Sequence, residues 1–186
     1  VNEEIISTVN TLGYDNIKFD VGTSWKWNTK KNNISSNLSF GLTDAVSLEL
    51  SASFVDFDTN ILTLNGAPLM AYLMTTPKLK DFNFDLVDKS LKDKIIFYVS
   101  KMQNMTTSQY KDFLTQSLNL YISTIGIDQY LVNEFTLSII NFINDSDKIS
   151  LSINPTDPIS VNDLIPHITN QDYSNLLNEL NLKIAN

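Results

Sequence analysis

From Ile17 to Phe54 apolar and polar residues alternate with few breaks. Ile17, Phe19, Val21, Trp25 and Trp27 alternate with Lys18, Asp20, Ser24, Lys26 and Asn28. Ile34, Leu38, Phe40 and Leu42 alternate with Ser35, Asn37, Ser39 and Gly41, and Val46, Leu48, Leu50, Ala52 and Phe54 with Ser47, Glu49, Ser51 and Ser53. A period of two belongs to a strand with one buried face. The stretch Thr29 to Asn33 and the pair Thr43–Asp44 are turn-rich breaks. Three strands with short connections therefore form a meander. Each carries a face of Ser, Asn and Lys that an antiparallel sheet can leave to water. Phe82, Phe84 and Leu86 predict a fourth strand, Ile149, Leu151 and Ile153 a later one, and Leu182 with Ile184 a short closing one.

Between these runs the period lengthens to that of a helix. Ile5, Ile6, Val9 and Leu12 precede Gly13, a stop signal. Asn65–Gly66 reads as a turn, and Pro68 suits the first residue of a helix through Thr75. Ser90 with Asp93 is a capping-box pattern before a stripe of Leu91, Ile95, Tyr98, Val99 and Met102. Thr107 or Ser108 suits the cap of a second helix with Tyr110, Phe113, Leu114, Leu118, Tyr121 and Ile125 inward, ended by Gly126. Asp128 suits the cap of a third, running to about Ile143. It is apolar on more than one side through Leu131, Val132, Phe135, Ile139, Ile140, Phe142 and Ile143, which predicts a central, buried helix. Ser160 with Asp163, and Asp172, head two further short helices. The fold class expected is α+β: an antiparallel meander of three to four strands plus one or two later strands, with helices packed on one face. There is no internal repeat or linker, so residues 1–186 read as one domain.

Composition removes whole classes of function. The 186 residues carry a formal net charge of -8, and all 13 basic residues are lysine. Arginine is the preferred partner of phosphates and base edges, so its absence argues against nucleic acid and against an anchor on anionic lipid. With no cysteine, disulfides, thiolate metal sites and thiol nucleophiles are excluded. No apolar run is long enough to span a membrane. A start at Val1 rather than Met implies a processed chain or a piece of a longer one.

Candidate chemistry is sparse. His167 is the single histidine, and a lone histidine forms neither a metal cluster nor, without a G-x-S-x-G elbow, a triad. Five glycines make no phosphate-cradling loop. Asn33, Asn37, Asn104 and Asn144 head N-x-Ser/Thr triplets of the kind that arise by chance in an Asn-rich chain. Asp56 and Asp58 end the third strand, and Asp81, Asp85 and Asp88 gather near the fourth. Paired carboxylates can hold a hard cation or serve as acid and base, though alternation puts Asp81 and Asp85 on the solvated face. No catalytic residue, metal ligand or cofactor is assigned. The suggestive feature is apolar. Phe19, Trp25, Trp27, Phe40 and Phe54 share one sheet face, and the helices offer Phe97, Tyr98, Phe113, Tyr121, Phe135 and Phe142. Such a set makes an ordinary core or lines a cavity for a lipid-like molecule.

The stretches LGYDNIKFD (Leu12 to Asp20), LVDKSLKDKIIFYVSKMQNMTTSQYKDFL (Leu86 to Leu114), ISLSINPTDPISVNDL (Ile149 to Leu164) and LNELNLKIAN (Leu177 to Asn186) resemble an uncharacterised C-terminal domain of alphaproteobacterial envelope proteins. The likeness rests on hydrophobics, Asp and Pro, transfers no site residues, and implies an exported, periplasmic location. The absence of arginine departs from that family's usual composition. Three functions follow. The first is a non-enzymatic envelope domain binding a protein partner or a hydrophobic ligand through the apolar sheet face. The second is a hydrolase-like enzyme using carboxylates near Asp56, Asp58 or Asp85, which must then converge in one pocket. The third is a structural module of a longer envelope protein.

Overall fold

A computed structural model of the chain describes residues 10–14, 18–123 and 129–186. Among these residues seven strands form one sheet: β1 (Phe19–Asn28), β2 (Asn33–Leu42), β3 (Val46–Val55), β4 (Lys78–Asp88), β5 (Lys148–Ile153), β6 (Ile159–Ser160) and β7 (Lys183–Ala185). Their order is β1-β2-β3-β4-β5-β7, all neighbours antiparallel, with β6 paired to the start of β4. Among the described residues six α-helices fill the connections: α1 (Gly66–Thr75), α2 (Leu91–Met102), α3 (Thr107–Ser123), α4 (Gln129–Asn144), α5 (Val161–Thr169) and α6 (Tyr173–Glu179). A 3-10 turn, Thr59–Thr63, precedes α1. The chain is thus α+β, with the first four strands a continuous meander and the later ones added after the helices.

The register gathers the apolar positions on one side. Val21, Phe40, Leu48, Leu86 and Ile149 lie in one row, and Thr23, Leu38, Leu50, Phe84, Leu151 and Ile184 in the next. Opposed residues of an antiparallel pair point to the same face, so the period-two pattern of every strand is read out on a single surface. At one end of this face Leu42 and Ala45 are buried with Tyr14, and Leu91 of α2 packs on them. At the other end α1 and α5 lie over β4 and β6. Gly13, at φ +76, closes the turn before Tyr14 by donating its N–H to the Asn10 carbonyl at 2.9 Å. The rest of the N-terminal helix expected before it, and the expected stop at Gly126 and cap at Asp128, lie outside the described residues.

Several local expectations are corrected. Ser90 makes no capping bond to α2. Its hydroxyl meets the Tyr14 hydroxyl at 2.7 Å and the Asp44 carbonyl at 2.5 Å, and the buried Asp88 carboxylate caps instead, accepting Lys92 N–H at 2.7 Å. Ile96 and Ser100 of α2 are buried, with Leu91 and Val99 of the expected stripe half-buried, while Ile95, Tyr98 and Met102 face out. The cap of α3 is Thr106, in a reciprocal box with Gln109. α1 begins at Gly66, two residues before Pro68, with Asn65 as its cap residue. α4 is not enveloped: Leu137 is 60% exposed and, of its described side chains, only Thr136 is buried. Its C-terminal carbonyls are held by two lysines. Lys92 donates to Phe142 and Ser146 at 2.8 Å each, and Lys111 donates to Asn144 at 3.0 Å. Cations at that end complement the helix dipole.

Candidate functional site

The apolar sheet face is covered unevenly, and one hollow results. Phe54, Leu79, Phe82, Ile153 and Ile159 form its floor; Phe57, Leu73, Pro77, Val161 and Leu164 form its walls, enclosing about 420 Å³. The floor exists because a register shift between Ser53 and Phe54 turns the end of β3 against β4, and because the short β6 brings Ile159 beside Leu79. The wall is fixed at α5 by a full capping box: Ser160 and Asp163 exchange side-chain and backbone bonds, with the Ser160 N–H to Asp163 at 2.9 Å. Those bonds hold the Asp163 carboxyl below its ordinary range. On the other side, the Trp27 indole N–H donates to the Phe57 carbonyl at 3.0 Å, and the Phe57 ring meets Trp27 and Tyr72 edge-on at 5.5 and 6.5 Å. The Tyr72 hydroxyl bonds the backbone of Asp56 and Asp58, tying this loop to α1.

The five residues singled out from sequence all lie on this face but not at one place. Phe54 lines the hollow, and Trp27 supports its wall through Phe57. Phe19 and Phe40 pair with each other at 6.2 Å near the opposite end of the sheet. Trp25 stands at the open edge, 70% exposed. The helix aromatics do not line the hollow: Phe97, Tyr98, Phe113 and Tyr121 are exposed, and Phe135 and Phe142 lie elsewhere. They cluster on α2, α3 and α4, whereas the hollow is walled by α1 and α5. Phe57, Leu73, Pro77, Leu79, Ile159, Val161 and Leu164 went unforeseen; no periodic run joins them, because they come from two loops, α1, the start of β4, β6 and the first turn of α5.

The carboxylates do not converge. Asp56 pairs with Lys78 at 3.3 Å, and Asp58 caps the 3-10 turn by accepting Asn60 N–H at 2.7 Å. Asp85 lies toward the far end of β4 on the polar face. The Ser150 hydroxyl, and then Lys148 at 2.9 Å, hold its carboxyl below the ordinary range. It does share a shallow polar trough of about 490 Å³ with Glu49, its cross-strand neighbour, and with Ser39, Ser51 and Asn83. Asp81 bonds the Ser53 hydroxyl. His167 bridges Glu179 at 3.2 Å and Asp172 at 3.7 Å, joining α5 to α6. Among the described residues no three His, Cys, Asp or Glu side chains gather as metal ligands, and no helix is long and apolar enough to cross a membrane.

A family model described as "Uncharacterized protein" matches residues 39–186. The chain belongs to that family. The matched region runs from within β2 to the C-terminus and contains every residue lining the apolar hollow; β1 precedes it. No curated protein and no solved structure matches the chain.

Proposed function

We propose that this chain is a non-enzymatic binding domain of the cell envelope that holds a small hydrophobic ligand in the hollow between the sheet and α1 and α5. The observation that carries this reading is the lining: all ten residues around a space of about 420 Å³ are apolar. That volume falls in the range of small-molecule sites, and such sites draw their affinity from apolar walls. With no charged or hydroxylated side chain in the lining, an uncharged alkyl or aryl group is favoured over a polar head. The envelope setting rests on the resemblance described above and on the cysteine-free composition.

The neutral apolar fluorophore N-phenyl-1-naphthylamine tests the site. It should bind saturably at one molecule per chain, and Leu73→Trp, which fills the mouth, should abolish binding while Phe19→Ala at the far end leaves it intact. In parallel, native mass spectrometry of detergent-free protein should show an added mass that organic extraction removes. Absence of saturable binding, or binding indifferent to Leu73→Trp, would overturn the proposal. Recovery from the soluble cytosolic fraction of the source cells would overturn the envelope setting.

A further inference from the structure

The two edges of the sheet differ. β7 is three residues long, a length that offers little to a pairing strand. β1 runs for ten residues, pairs with β2 without a bulge and contains no proline. The Lys18 carbonyl accepts the Thr43 N–H at 3.0 Å, so Lys18 turns its backbone groups toward β2. By alternation Asp20, Gly22, Ser24 and Lys26 do the same, while Phe19, Val21, Thr23, Trp25 and Trp27 present N–H and C=O to the outer edge, where no strand pairs with β1 among the described residues. On the apolar face Phe19, Val21 and Trp25 are 52%, 68% and 70% exposed. The whole chain exposes 12014 Å², roughly a third more than the ~9,000 Å² that area scaling gives a folded monomer of its mass.

We propose that β1 pairs antiparallel with β1 of a second copy of this chain, about a two-fold axis at Thr23, joining two sheets into one. The strand is complementary to itself in this register alone. A two-fold axis normal to the sheet keeps each face on its own side, so only residues of equal parity can oppose. Centred on Thr23, nearly all of β1 overlaps its copy. Val21 then meets the partner's Trp25, Phe19 the partner's Trp27, and Asp20 the partner's Lys26. The last pair falls at a position without cross-strand hydrogen bonds, where opposed side chains lie closest. Centring on Gly22 instead would set Lys26 against the partner's Lys18, and centring on Ser24 leaves both charges without an opposite. Within the chain Asp20 faces Gly41 and Lys26 faces Ser35, and among the described residues neither side chain forms an ion pair. Both charges are therefore available to the partner.

Sedimentation equilibrium of the full chain should give twice 21.0 kDa. Asp20→Lys alone, or Lys26→Asp alone, places like charges across the axis and should weaken the dimer at least tenfold; the double swap should restore it. Because the chain has no cysteine, Thr23→Cys gives a register test. Facing residues at the axis have Cα atoms about 5.5 Å apart, within disulfide reach, so oxidation should yield a covalent dimer. Val21→Cys, displaced along the strand by about 14 Å from its copy, should not. A chain that stays monomeric at all concentrations, a dimer indifferent to the single swaps, or equal cross-linking at both positions would overturn the proposal. A heterologous protein seated on β1 in place of the second copy would do the same.

Discussion

The two ends of the sheet are built from the same alternating pattern and have opposite fates. Around β4, β5 and β6 the apolar face lies under α1 and α5, and Ile159 is 8% exposed. On β1 and β2 the same face reaches solvent through Phe19, Val21, Trp25 and Leu38. Alternation therefore says which face of a strand is apolar, and says nothing about what covers it. Coverage is decided by where the connecting helices land. Among the described residues five of the six helices follow β4 in sequence and the sixth, α1, leads directly into it, so the cover falls on the later half of the sheet.

The sharpest contrast comes from removing one side chain in the helical layer and one in the open wing. Ile96, 5% exposed in α2, should cost about 2–5 kcal/mol as Ile96→Ala, because a cavity adds to the lost transfer energy. Val21→Ala, at 68% exposure, should change monomer stability by less than about 0.5 kcal/mol. Urea unfolding at low protein concentration measures both. Equal losses would mean that the wing is covered in solution by its own chain. An intermediate effect is expected at the wall of the hollow: Ser160→Ala breaks the box that starts α5 and should cost about 1 kcal/mol, with weaker N-phenyl-1-naphthylamine binding as a second readout.

The smallest effect lies on the polar face. Asp85 titrates below its ordinary 3.8 because Ser150 and then Lys148 stabilise its carboxylate. A depressed folded pKa makes a contribution present above the unfolded value of about 3.9 and lost as pH falls through the folded value. Asp85→Asn should therefore lower stability slightly above about pH 4 and leave it nearly unchanged in stronger acid, flattening the acid limb; the loss is small because the group is well solvated. An unaltered acid limb would assign that limb to other carboxylates.

The strands were legible in the sequence because Ser, Asn and Lys punctuate the apolar residues at a strict period, and each strand lies on a half-solvated sheet. Ser160–Asp163 was legible because its box is closed within four residues. Ser90–Asp93 has the same local form and fails, since Tyr14 and Asp44, distant in sequence, claim the serine hydroxyl. The hollow was legible only in part. Phe54 belongs to a periodic strand, but Leu79, Ile159 and Val161 reach the site through a bulge, a two-residue strand and a helix start, none of which leaves a periodic trace. The helix aromatics misled because side-chain size does not reveal direction.

The late entry of β5 has a consequence during synthesis. β4 ends at Asp88 and its partner begins at Lys148, so a translating ribosome, at about 5–20 residues per second, makes the two some 3–12 s apart. For that interval the four-strand meander is complete while Phe82, Phe84 and Leu86 stand on an open edge. Among the described residues the nascent sheet thus carries two unpaired edges, β1 and β4, and of these the second alone is closed by a described strand still to be translated.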